Sequence, residues 1–141
     1  MSELLIFKEE QLQKLQQLYE TFREVRDEIA LVFYDSFKKV YKRIYKTSDK
    51  MIAEIYLHKS KILLAKMTDY FLGILAEIRS NNQSNKIGYY WWKLRDLKFE
   101  LAEVLIKMQI LAGLKLLIAN REKLVKYEKF VSNLGNILKQ L

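Results

Sequence analysis

Residues 38–46 read Lys-Lys-Val-Tyr-Lys-Arg-Ile-Tyr-Lys, five cations in nine positions with no acid among them. On a helix, at about 100° per residue, Lys39, Lys42, Arg43 and Lys46 share one side, roughly opposite Phe33, Phe37, Val40 and Ile44. Tyr41 and Tyr45 fall on the border between the two, beside Lys38. Cationic side chains next to amphipathic rings suit phosphate contact combined with stacking on a base or sugar. Lys38, Lys39, Lys42, Arg43, Lys46, Tyr41 and Tyr45 are therefore the candidate nucleic-acid-binding set. The competing account is a solvated face whose tyrosines bury their rings and leave their hydroxyls wet.

A second cluster is Tyr89-Tyr90-Trp91-Trp92, flanked by Lys86, Lys93, Arg95 and Lys98. Four consecutive rings cannot all face one core on a helix, so at least one is exposed, lies under a loop or meets a partner. Tyr89, Tyr90, Trp91 and Trp92 form the candidate partner-binding set, a protein partner being favoured over a nucleic acid. The alternative is that the rings wrap the end of a helical bundle and lock a loop.

Catalytic and metal chemistry find little support. Glu54 and His58 stand four apart, but His58 is the only histidine, and a di-iron bundle needs a Glu-x-x-His unit on each of two helices. An i,i+4 helix pair accounts for them better. There is no cysteine, which removes disulfides, thiolate metal sites and cysteine nucleophiles together. The sequence also has no glycine-rich phosphate loop, no His-Glu-x-x-His and no Gly-x-Ser-x-Gly. The expectation is a protein that is not an enzyme and takes no cofactor or metal.

The elements that would position these residues are helices. Proline is absent and glycine occurs four times, at 73, 88, 113 and 135. Apolar residues recur in steps of three and four from Leu12 to Ile44, from Ile52 to Ile78, from Leu94 to Ile118 and from Leu124 to Leu138. A strict heptad fails in the first segment, where the frame set by Leu12 and Leu15 meets Arg26, Ser36 and Arg43, which favours a globular bundle over a two-stranded coiled coil.

The prediction is an all-α, antiparallel bundle of four long amphipathic helices, with three as the alternative. It forms a single domain over 1–141, with helices at about 3–46, 49–79, 89–119 and 121–139 and a polar loop at 80–88. Thr47-Ser48-Asp49 is the expected capping cluster of the second helix, and Asn120 that of the fourth. Without a break, residues 89–140 would make a helix of roughly 78 Å, too long for a domain of this size. Gly73 and Gly113, inside helical patterns, are expected at close helix crossings.

The 141 residues carry a net charge of +8, unevenly spread. Residues 1–30 hold four Lys/Arg against seven Asp/Glu, whereas residues 31–66 hold nine against three. This bias favours polyanionic partners. The first ten residues have no basic n-region and only a four-residue apolar run, and no stretch is long enough for a membrane span. A cytoplasmic chain is expected.

In size, helicity and charge the chain resembles the small all-helical subunits of CRISPR effector complexes. The likeness extends to gross character and to no motif. It implies a non-catalytic subunit that contacts nucleic-acid backbone, DNA or RNA, without reading sequence inside a larger assembly. The alternative from another class is a protein–protein interaction or structural assembly module, an oligomer or hetero-complex subunit without nucleic-acid contact. It would bury Tyr89–Trp92 and set the acidic Glu9, Glu10, Glu20 and Glu24 against a basic surface.

Overall fold

The computed structural model describes the backbone of residues 2–80, 86–113 and 118–139, and the side chains of 9–10, 12–80, 86–113 and 124–139. Four helices make up the described residues: α1 (Ser2–Arg43), α2 (Thr47–Arg79), α3 (Lys86–Ile110) and α4 (Ile118–Lys139). Each neighbouring pair runs antiparallel, as cross-helix contacts show. Arg26 of α1 donates to Thr68 of α2 at 3.1 Å, while Phe22, a turn earlier, stacks on Phe71, nearly a turn later. Glu28 of α1 meets Lys126 of α4, and Phe22 meets Phe130. On the α3–α4 side, Trp91 reaches Val131 and Tyr127 reaches Leu94. The order around the bundle is α1, α2, α3, α4, with α1 and α3 touching across the diagonal.

The apolar stripes read from the sequence are for the most part buried; the exceptions in α2 are Ile52, Ile55 and Ile62, which are exposed. Leu15, Phe22, Ile29, Phe33 and Val40 of α1 pack against Ala53, Met67, Phe71 and Ile74 of α2, Leu94, Leu101 and Met108 of α3, and Tyr127, Phe130 and Leu134 of α4. At the centre, the Phe22 and Phe71 rings stack 4.8 Å apart and 7° from parallel, with Phe130 tilted against both. Truncating one such ring costs about 3–5 kcal/mol. No helix of the described residues is long and apolar enough to cross a membrane.

The ends of the elements differ from expectation. α1 stops at Arg43 rather than 46; the Ile44 N–H still donates to the Val40 carbonyl at 3.2 Å and Ile44 is buried, 6% exposed, and residues 44–46 form the connection. α2 begins at Thr47, so Lys46 is its N-cap and Thr47, Ser48 and Asp49 lie inside the first turn. α3 begins at Lys86, which shortens the loop expected at 80–88; positions 81–85 lie outside the described residues. It ends at Ile110 rather than 119, in a turn over 111–113 closed by Gly113 N–H donating to the Ile110 carbonyl at 2.9 Å.

Gly113 has φ +66°, a left-handed conformation that glycine adopts with little penalty. It is not the packing contact expected of it, for a Cβ there would meet nothing within 4 Å. Residues 114–117, expected as part of the third helix, lie outside the described residues. Asn120, expected as a cap, lies inside α4.

Candidate nucleic-acid interface

The basic cluster occupies the end of the bundle where α1 hands over to α2. Lys38, Lys39, Lys42 and Arg43 stand on the last two turns of α1, and Lys46 follows three residues later with an extended backbone (φ −73°, ψ 132°). Lys46 thus leaves the helical face expected for it but stays at the same end of the molecule.

Lys38 is partly engaged: its ammonium lies 3.7 Å from Asp35 and 4.7 Å from the centre of the Tyr34 ring. Lys39, Lys42, Arg43 and Lys46 are exposed, and among the described residues no carboxylate lies within 4 Å of any of them. Their charges act outward, where they attract anions and counterions.

The tyrosines divide. Tyr41 is half-buried, its ring against Phe37 at 5.3 Å, with the Lys50 ammonium 5.1 Å from its centre. Tyr45 is 91% exposed, held out by a connection whose neighbouring residue, Ile44, is anchored in the core. Of the two rings, Tyr45 is the one open to a stacking partner. Lys50, one turn into α2, adds a further cation that the sequence reading did not single out.

The aromatic run at the start of α3 also divides, two rings in and two out. Tyr90 lies over Gly73 of α2, where a Cβ would approach its ring atoms to 3.0 Å, so Gly73 does mark a close helix approach. Trp91 lies over Gly135 of α4, where a Cβ would come within 2.9 Å of Nε1, and Nε1–H donates to the Val131 carbonyl at 3.0 Å. The two glycines thus make the recesses that let α3 pack against α2 on one side and α4 on the other.

Tyr89 and Trp92 remain more than half exposed. The Arg95 guanidinium covers Trp92 at 4.2 Å, a cation–π contact worth about 0.5–1 kcal/mol at an exposed site. Nothing local in the sequence pairs Gly135 with Trp91, 44 positions earlier, so that partnership was not legible there.

The remaining candidates are a helix pair and a groove. Glu54 and His58 are both exposed, and among the described residues no group of three His, Cys, Asp or Glu could hold a metal ion. A groove of about 260 Å³ between α3 and α4 is lined by Trp91, Arg95, Lys98, Tyr127, Glu128 and Ser132, but Lys98 and Glu128 are paired at 3.4 Å and the Tyr127 hydroxyl is committed to the Leu94 carbonyl. Burial pushes the Tyr127 phenol above the ordinary tyrosine range. On the surface, the hydrogen bond and charge of Lys107 lower the Glu103 carboxyl, and Glu103 in turn raises Lys107.

No family model matches the sequence, and no curated protein or solved structure matches it. The functional reading therefore rests on the residues and their placement.

Proposed function

We propose that the chain is a non-catalytic, cytoplasmic helical subunit of a larger assembly, and that it binds nucleic-acid backbone without reading sequence. The observation that carries the reading is the end of the bundle at the α1–α2 connection: four exposed cations with no carboxylate partner among the described residues, close in sequence to an outward-held Tyr45. Lys46 adds to the case. An N-cap favours Ser, Thr, Asp or Asn, and the lysine there makes no capping hydrogen bond. A cation kept where a small polar residue would stabilise the helix better points to a use outside the fold.

Binding would proceed by counterion release at the phosphates, with Tyr45 stacking on a base of a single strand. Titration of a labelled single-stranded oligonucleotide, followed by anisotropy, tests this directly. The expected result is binding at 50 mM salt that weakens roughly thirty- to a hundredfold by 200 mM. Absence of binding at 50 mM would overturn the proposal.

A further inference from the structure

α3 is apolar on two sides. Leu94, Leu101 and Met108 face the core, while Tyr89, Trp92, Phe99, Ile106 and Ile110 lie on the outward side, with exposures from 36% to 64%. With Asp96 and Glu103, these outward residues step along the helix by 3, 4, 3, 4, 3 and 4, the spacing of a helix-packing seam. The seam runs the length of α3, and its apolar side chains stay exposed among the described residues. Ile55 and Ile62 of α2, more than two-fifths exposed, widen it on either side of Lys59, whose charge acts on Glu103. Together these side chains expose on the order of several hundred Å² of apolar surface, the size of the largest patch on a typical monomer and one that often marks an interaction site, against the roughly 800 Å² each partner buries in a stable interface.

Part of this outward face matches itself about Phe99. Seven positions to either side stand Trp92 and Ile106, both apolar; four positions to either side stand Arg95 and Glu103, of opposite charge; three positions to either side stand Asp96 and the small Ala102. With Phe99 on a two-fold axis, an antiparallel copy would set Trp92 against Ile106 of the partner subunit and Arg95 against Glu103 of the partner subunit, each contact made twice, with Glu103 shared between that arginine and its own Lys107 at 2.7 Å. Such self-matching is what an isologous interface requires.

We propose that the outward face of α3 is the surface through which two copies of this chain pair, antiparallel, about Phe99. The face uses none of the residues of the α1–α2 connection, so its failure would leave the nucleic-acid reading untouched.

Sedimentation equilibrium of the full chain, without nucleic acid, decides the matter. The expected mass at tens of micromolar is about 34 kDa, twice the 16.9 kDa chain. Phe99→Asp, at a side chain 62% exposed and outside the core, should leave the helical circular dichroism unchanged and weaken the dimer roughly thirtyfold or more. Arg95→Glu and Glu103→Arg should each weaken it about tenfold, and the two together should restore it to within a few-fold. A monomer at all concentrations, a dimer indifferent to Phe99→Asp, or a double reversal no better than the single ones would each overturn the proposal.

Discussion

At the scale of single residues, Trp91 and Gly135 act as one packing unit, and the glycines show how environment decides the sign of a substitution. Alanine at Gly135 gains about 1 kcal/mol of helix propensity, yet its Cβ would come within 2.9 Å of an indole that its hydrogen bond to Val131 holds in place. Gly135→Ala is expected to destabilise the chain by a net 1–2 kcal/mol or so. Gly88→Ala, in the first turn of α3 with nothing within 4 Å of the new Cβ, is expected to stabilise it by up to about 1 kcal/mol. Urea midpoints at unchanged slope measure both. Tyr127 supplies a pH signature. Its buried phenol ionises above the ordinary value of 10.0, so as pH rises past about 10 the unfolded chain loses that proton before the folded chain does. The contribution is thus full below the ordinary tyrosine value and is lost as pH climbs above it. Tyr127→Phe is expected to cost about 1 kcal/mol at neutral pH and to flatten the fall in stability between about pH 9 and 11, which melts of the two proteins across that range would reveal.

Among the helices, the α1–α2 connection sets stability against the proposed binding at one position. Lys46→Ser puts a capping hydroxyl where the extended backbone can use it, and is expected to raise stability by about 0.5–1 kcal/mol. The same change removes a cation from the basic end, so oligonucleotide affinity is expected to fall as the melting temperature rises; a variant that gains stability and keeps full affinity would show that Lys46 contacts no phosphate. The helices themselves were legible because burial imposes the 3.6-residue period along the whole stripe from Leu15 to Val40. Their ends were less so. Ile44 keeps the period after the helix has stopped, and Gly88 reads as loop although it sits in a helical turn. Gly113 reads as a packing contact, while its left-handed backbone ends α3 some nine residues before the expected boundary. The cation cluster could be read directly because no acid interrupts residues 38–46. The outward seam of α3 could not, since a second apolar stripe shows as such only once the first is known to face inward.

For the molecule as a whole, the question is whether a net charge of +8 acts as a diffuse field or through one end. The first half of α1 holds four acids (Glu3, Glu9, Glu10 and Glu20) against two cations, and the second half six cations against four acids, so α1 carries opposite net charge toward its two ends, and a polyanion should meet the α1–α2 connection first. Salt dependence can tell the cases apart. If Lys39, Lys42, Arg43 and Lys46 each neutralise one phosphate, log affinity should fall against log salt with a slope of about −2.8 on a single strand and −3.6 on a duplex. Replacing Lys39, Lys42 and Arg43 by glutamine should then leave a slope near −0.7 on a single strand. A control that removes the same net charge from Lys66, Lys129 and Lys139, exposed and unpaired among the described residues but away from that end, should lower affinity modestly through the long-range field and leave the slope nearly intact. Equal flattening by both triple variants would mean that phosphates are contacted all over the surface, and the localised interface would have to be given up even though binding itself remained.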